Sequence, residues 1–321
     1  MNVLAEHKSD RFAFYNGDSC EVVKGLPDES VHLTVSSPPF PAMYTYSNSP
    51  RDIGNTSGRG QMLDHFRFLV RELNRITKPG RSCCIHLTNV PAFKHSDGYV
   101  GRHDFRGEII RLFIEQGWIY ASEILIDKCP QVRAQRTKDV GLLFKSLATD
   151  ASVMSPVMPD YMLIFRKHGE NFEPIRAGKS PKYGDGKGWI SQDEWIEWAR
   201  AVWYGQRKGL PGGIRETDVL NVSAARSEED ERHLCPLQLG VIERCVKLWS
   251  NPGDIVFDPF GGVGSTPYKA ILLDRYGLGI ELKPEYYSQA VRNCQSAEVM
   301  RKQNQNTLFD LDVVEEVEEV A

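Results

Sequence analysis

The sequence contains no apolar stretch approaching the ~18 residues that cross a bilayer. Its first residues, Met1-Asn2-Val3-Leu4-Ala5-Glu6-His7-Lys8, lack the basic-then-apolar order of a secretion signal. Neither a membrane protein nor an exported one is expected. Seven cysteines are present without a C-x-x-C pair. With no signal segment they are expected to be reduced, and neither a disulfide frame nor a zinc site is assigned; no metal is expected. The chain is no polycation either, with a net charge of −4, so contact with a polyanion would need a local basic surface. There is no internal repeat. What is present is an apolar fraction of 41% over 321 residues, enough for a buried core in one large α/β domain with an insertion, or in two domains.

Two familiar glycine patterns are also missing, and their absence narrows the reading of the stretch that organises the chain. Asp254-Ile255-Val256-Phe257 reads as a buried strand. Asp258-Pro259-Phe260-Gly261-Gly262-Val263-Gly264-Ser265-Thr266 reads as a turn, and Pro267 to Leu273 as the start of a helix. A phosphate loop would place Lys before the Ser/Thr, where Gly264 stands, and the dinucleotide fingerprint would need a third glycine at its proper offset. The glycines still let backbone N–H groups approach a ligand, beside a helix N-terminus. Further on, Gly277-Leu278-Gly279-Ile280-Glu281 reads as a second strand ending in an acid that can accept from two ribose hydroxyls. An adenosine ligand without a pyrophosphate fits both; a ligand-free tight turn is the alternative.

Near the other end, Ser30 to Val35 alternates as a strand and runs into Ser36-Ser37-Pro38-Pro39-Phe40. Paired prolines make a rigid exit whose carbonyls can only accept. A fixed carbonyl and the Ser37 hydroxyl can hold an amino group, and the Phe40 ring can lie on a flat base. Alone, this tetrapeptide reads as a proline-rich loop.

Together the two motifs resemble the amino-methyltransferases of DNA, over roughly residues 14 to 295 with a gap of low resemblance between about 168 and 231. In that family a D-P-F-x-G-x-G turn binds S-adenosyl-L-methionine and a [SDN]-P-P-[YF] tetrapeptide holds the target base. Here the base motif comes first and the cofactor motif last, the permuted order of the β group. The resemblance implies a Rossmann-like, seven-stranded, circularly permuted α/β methyltransferase sheet with an inserted target-recognition region. Its parts would be a catalytic half (1–127), a remaining strand plus target-recognition region (128–232), a cofactor-binding half (233–298) and a flexible acidic tail (299–321). It implies catalytic roles for Ser37, Pro38, Pro39 and Phe40. It implies cofactor contacts from Asp18, Asp258, Phe260, Gly262, Gly264, Ser265 and Glu281, and from His233, whose segment has His-Leu and Cys-Pro where the family usually has His-Pro and Lys-Pro. Asp18 would receive the adenine amino group, although an Asp at that position also suits a helix cap.

In chain order, Phe12 to Tyr15 reads as a strand and Cys20 to Leu26 as a short helix. Residues 44–60 read as a polar loop, either at the mouth of a base pocket or simply solvated. Leu63, Phe66, Leu69, Val70, Leu73 and Ile76 recur at helical spacing up to Lys78-Pro79-Gly80. Cys83 to Leu87 is the next strand, with one of Cys83 and Cys84 facing the core and His86 a satisfied core histidine. A helix from Phe105 to Gly117, a strand to Ile126 and a strand over 159–167 follow. Cys129 precedes Pro130, the reverse of the Pro-Cys order of cytosine-C5 enzymes, so a covalent cysteine adduct is not the expected mechanism. Residues 128–215 carry 15 Lys/Arg against 9 Asp/Glu. The resemblance puts target recognition there, and Arg133, Arg136, Lys138, Lys179, Lys182, Arg207 and Lys208 suit phosphate contacts; a solvated insertion is the alternative. Ser191 and Glu194 form a capping box, with Trp195 and Trp198 read as helix core. Helices follow from Leu239 to Trp249 and from Pro284.

From about Ala297 the chain turns polar and acidic, and little fixed structure is expected. Gln305-Asn306-Thr307-Leu308-Phe309 resembles the Q-x-x-L-F peptide with which bacterial replication proteins enter the sliding clamp. Within the family, Ser at position 37 goes mostly with cytosine-N4 enzymes, and Asp or Asn with adenine-N6 enzymes. The resemblance therefore implies a site-specific cytosine-N4 methyltransferase acting on a base flipped out of double-stranded DNA. Adenine-N6 is the alternative, and a non-catalytic DNA-binding protein or an enzyme on RNA or protein are weaker ones. A cognate restriction nuclease as partner and a cytoplasmic location (bacterial nucleoid or phage-encoded) go with that reading.

Overall fold

The computed structural model describes residues 3–39, 59–130, 148, 152, 155–176, 189–206, 212–222 and 237–318, with no side chains described for residue 59 and residues 305–318. One nine-stranded sheet carries the fold. Its strands in chain order are β1 (Ala5–Lys8), β2 (Phe12–Asn16), β3 (Val31–Ser36), β4 (Thr77–Thr88), β7 (Trp118–Ile126), β8 (Asp160–Lys167), β9 (Val202–Trp203), β10 (Ile255–Asp258) and β11 (Tyr276–Glu281). They lie side by side as β1-β2-β11-β10-β3-β4-β8-β7-β9. The five strands from β2 to β4 are mutually parallel, and β8 runs antiparallel between β4 and β7. The expected seven strands form the centre; the short β1 and β9 extend its edges.

Because the strands are covered on both faces, alternate residues feed two cores. Ala13, Tyr15, Cys83, Ile85, Leu163, Phe165 and Phe257 face one layer, formed by α1 (Ser19–Val22), α2 (Arg59–Ile76) and α4 (Phe105–Glu115). Between α2 and α4, directly after β4, a separate pair of strands joins β5 (Val90–Ala92) to β6 (Gly101–His103) around the single turn of α3 (Lys94–Asp97), where the sequence reading had placed no element. Leu33, Val35, Cys84, Met162, Ile164 and Val256 face α6 (Leu239–Trp249). Phe12 and Phe14 meet α7 (Ser265–Leu272) and α8 (Pro284–Glu318). Cys83 and Cys84 are thus both fully buried, on opposite faces, where only one was expected to be. In α2 the residues picked by helical spacing are buried, apart from the partly buried Leu63, and Met62, which was not picked, is buried with them. At ~1.5–3 kcal/mol for each large apolar side chain, that stripe fixes the helix on the sheet. The strand after it starts at Thr77, ahead of Pro79, and accommodates the proline with a register shift against β3.

Two expectations need correction. The Trp195/Trp198 stripe splits: in α5 (Gln192–Trp198) Trp198 is buried beneath the cations of Arg244 and Lys247, whereas Trp195 is 50% exposed. The helix is only two turns long and ends against α6, so one ring is covered and its neighbour three residues back is not. The tail, expected to lack structure from about Ala297, continues as helix α8 to Glu318. Residues 297–318 hold neither proline nor glycine, so nothing in that run breaks the helix.

At the amino ends of the central strands an ion-pair network closes the sheet. The fully buried Arg81 meets Asp254 at 3.1 Å and Glu173 at 3.4 Å. His32 accepts the Ile255 N–H at Nδ1 and turns Nε2 to Glu173 and Asp254. Although His32, Glu173 and Asp254 bring ligand-type atoms within 4.8 Å of one another, Arg81 and Lys78 already supply the positive charge there.

Candidate active site

From β3 the chain crosses through α2 to β4 on one side, and from β10 it crosses through α7 to β11 on the other. β3 and β10 are neighbours, so the chain diverges between them, and the carboxyl ends of two such strands open a crevice. Ser37-Pro38-Pro39 leaves the end of β3 and Pro259-Phe260-Gly261-Gly262 leaves the end of β10. Motifs at opposite ends of the sequence are therefore brought side by side. The Ser36 hydroxyl donates to Asp258 Oδ1 at 2.6 Å and binds them together.

Asp258 is 6% exposed and also accepts the Phe260 N–H at 3.0 Å. Burial pushes its carboxyl up to about 6, against the pull of those hydrogen bonds. It braces the turn from beneath. Phe260 is partly buried and tilts against Phe66 of α2, with ring centroids 6.2 Å apart.

Gly264 caps α7 in a left-handed conformation, φ +85°, and a Cβ there would meet Ala290 of α8 at 3.1 Å. Gly262 has φ +52°, but a Cβ there would meet nothing within 4 Å. The first glycine is needed by fold and packing, the second by backbone conformation beside open space. Glu281, at the end of β11, accepts the N–H of Gly262 at 2.8 Å and that of Lys283 at 2.8 Å. Glu281 and Asn16 are register partners, so Asp18, two residues beyond β2, stands at the neighbouring strand end. Asp18 caps α1 through the Cys20 N–H. Ser19 donates to the Pro259 carbonyl and ties this corner to the turn. Ser265 Oγ, buried at the head of α7, has no hydrogen-bond partner among the described residues. Segment 218–222, unnoticed in the sequence, reaches the same turn: Leu220 and Val222 pack on Val263 and Tyr286.

On the β3 side, Pro38 is buried and Ser37 and Pro39 are half-buried. Ser37 Oγ lies 3.1 Å from His86 Nδ1. His86 Nε2 lies 3.0 Å from Asp160 Oδ2, which also meets Lys128 Nζ at 2.6 Å. His86 is buried and satisfied, as expected of a core histidine, but its partner on one side is the serine of the base motif. Sequence spacing carried no signal for this chain of groups, which joins the ends of four strands, β3, β4, β8 and β7.

Phe40, His233, Arg133, Arg136, Lys138, Lys179, Lys182, Arg207 and Lys208 lie outside the described residues. Gln305 to Phe309 lies within α8, without described side chains. No helix among the described residues is long and apolar enough to cross a membrane.

The sequence model of a family described as DNA methylase matches residues 31–292. The type II methyltransferase M.BamHI of Bacillus amyloliquefaciens is 26% identical over 285 residues, covering 85% of this chain and 55% of that protein. The type II methyltransferase M.BglII of Bacillus subtilis is 26% identical over 279 residues, covering 85% and 66%. The chain thus spans between about half and two thirds of the length of these curated relatives. A Thermus thermophilus protein solved with S-adenosyl-L-methionine, described as a putative DNA modification methylase, aligns at a TM-score of 0.61 and 23% identity, over 90% of this chain and 95% of its own. The PvuII DNA methyltransferase, described as cytosine-N4-specific, aligns at 0.58 and 17%, over 95% and 97%. At these identities the two structures share the fold.

Proposed function

The chain belongs to the DNA methylase family, and from that premise we propose that it transfers a methyl group from S-adenosyl-L-methionine to an exocyclic amino nitrogen in DNA, with cytosine N4 as the acceptor. The observation that carries this reading is the Ser36–Asp258 hydrogen bond, which holds a base-type motif against a cofactor-type turn.

The residues of the turn fit the cofactor. Gly262 leaves room beside its backbone, and the buried Ser265 hydroxyl has a hydrogen bond still to make. Glu281 accepts one main-chain N–H at each oxygen. A carboxylate has about four acceptor sites, so ribose hydroxyls can be held by the same group. Asp18 keeps acceptor capacity for an adenine amino group beyond its cap bond. Bound there, S-adenosyl-L-methionine supplies a methyl carbon activated by the sulfonium.

An exocyclic amino group is a poor nucleophile because its lone pair is delocalised into the ring. Acceptors around its N–H groups draw it toward a pyramidal geometry and gain strength as positive charge develops on nitrogen. Ser37 Oγ and the Pro38 carbonyl are the acceptors assigned to that task, with Phe40 stacking on the base. The base must leave the duplex to reach them. Ser37 in place of Asp or Asn supports cytosine over adenine. Relatives and neighbours described as methyltransferases, one of them cytosine-N4-specific, support the reaction class.

The test is mass spectrometry of nucleosides from DNA incubated with the protein and S-adenosyl-L-methionine. N4-methylcytosine is the expected product. N6-methyladenine would replace the acceptor and retain the mechanism. No methylated nucleoside, on DNA that contains most short sites, would overturn the reading.

A further inference from the structure

On the reading that Ser37 meets the amino group of a base, we propose that His86 is the proton acceptor standing behind Ser37, with Asp160 and Lys128 fixing its tautomer and balancing its charge. The distances set the direction of every bond. The Asp160 oxygen that faces Lys128 at 2.6 Å is a carboxylate oxygen and can only accept. His86 Nε2, 3.0 Å from the same oxygen, must therefore carry the hydrogen. Nδ1 is left with its lone pair, and Ser37 is the donor to it at 3.1 Å. The serine hydroxyl points its hydrogen inward and its lone pairs away from His86.

The three groups behind Ser37 are 7%, 4% and 6% exposed. Burying such a set costs desolvation that an apolar trio at the same places would avoid. They all stand at the carboxyl end of the parallel strands: His86 near the end of β4, Asp160 at the start of the antiparallel β8, and Lys128 just after β7. The amino ends of the strands, where Arg81 and Asp254 pair, hold a purely structural network by comparison.

The step balances. The amino lone pair forms the new N–C bond, the electrons of the C–S bond pass to sulfur, and the nitrogen is left one proton in excess. That proton goes to Ser37 Oγ as the Ser37 proton goes to His86 Nδ1. The resulting imidazolium is held by Asp160, and its proton later returns to water. His86 is a positioning and relay residue; it does not touch the base. Among the described residues, the charged groups on that side are Asp160 on β8, paired with it, and Lys128 after β7, paired with Asp160.

Two measurements on the full chain test this over about pH 5 to 8, the range in which an imidazole titrates: nitrogen NMR of labelled histidine, and single-turnover methyl transfer to DNA. The expected results are a bare Nδ1 on His86 and a rate that falls as pH drops through the same titration. Lys128→Met is expected to move both inflections to higher pH, because it removes the positive charge that shares Asp160 with the imidazole. His86→Gln is expected to slow the step roughly 10²-fold and remove the inflection, with cofactor affinity unchanged. A proton on Nδ1, a His86→Gln rate equal to wild type, or a rate inflection that stays put in Lys128→Met would overturn the proposal. Should His86→Gln not fold, Lys128→Met decides. A wild-type chain that binds cofactor and methylates no DNA fails the function reading instead; a failed relay leaves wild-type methylation intact and lacks only the His86 and Lys128 responses.

Discussion

Ser36 and Asp258 are 222 residues apart in sequence and 2.6 Å apart in space, joined by a hydrogen bond buried at the ends of two parallel strands. Ser36 sits directly before the base-type motif, and Asp258 is the first residue of the cofactor-type turn. The carboxylate beneath the cofactor-type turn is therefore also the anchor of the base-type loop, and a disturbance at either is felt at both.

That carboxylate makes stability depend on pH in a defined direction. Burial raises Asp258 from 3.8 to about 6 in the folded chain. The folded state then binds the proton more tightly than the unfolded one. Its contribution is fully present below 3.8 and is lost as pH rises through about 6. Urea unfolding of wild type and Asp258→Asn across this window is expected to show wild type losing about 3 kcal/mol relative to the variant. A difference that does not change with pH would show that Asp258 titrates as an ordinary carboxylate.

Gly262 and Gly264 separate ligand space from packing. Gly264→Ala combines a left-handed backbone with contacts on Ala290 and is expected to cost about 2 kcal/mol in stability, cofactor affinity falling with it. Gly262→Ala meets no neighbour within 4 Å. It is expected to cost about 1 kcal/mol from its backbone alone, yet to lose cofactor affinity more severely. Thermal unfolding and calorimetric titration with S-adenosyl-L-methionine read the two effects; equal affinity losses at equal stability would contradict the assignment.

In the proposed function Glu281 acts on binding, away from the transferred methyl. Glu281→Gln keeps one acceptor oxygen and turns an amide donor toward a main-chain N–H, an unpaired arrangement that costs about 1–3 kcal/mol. The expected result is a rise in KM for the cofactor of roughly tenfold or more, with kcat at saturation nearly unchanged. A fall in kcat at constant KM would place Glu281 in the chemistry.

Arg81 provides a control at the far end of the strands. Arg81→Met leaves Asp254 buried with less compensation and is expected to destabilise the fold by about 3–5 kcal/mol. Cofactor affinity, measured below the unfolding transition, is expected to match wild type.

What could be read without the structure was what a local pattern encodes. The helical stripe of α2 and the Ser191–Glu194 capping box depend on residues a few positions apart, and both formed as read. Gly264 was marked only through the motif; its left-handed cap of α7 and its contact with Ala290 emerged from the structure. His86, Asp160 and Lys128 were illegible as a set because strand order, and nothing in their spacing, brings them together. Trp195 was misplaced because periodicity says which residues share a face and is silent on how far the neighbour covering that face extends. Phe14 belongs to the same class. Its ring fills the space that side chains at Gly261 and Gly279 would occupy, which makes one glycine of the turn and one of β11 packing requirements.

The adjacency of β3 and β10 also governs what happens while the chain is being made. After β3 leaves the ribosome it keeps an unpaired parallel edge, with Leu33 and Val35 on one face, until β10 arrives to close it. Pairing across so long a separation is slow, and an open edge invites association with other chains. An incompletely synthesised chain keeps that edge open and lacks the glycine turn that follows β10. The crevice between the two strand ends therefore exists only once β10 has paired with β3.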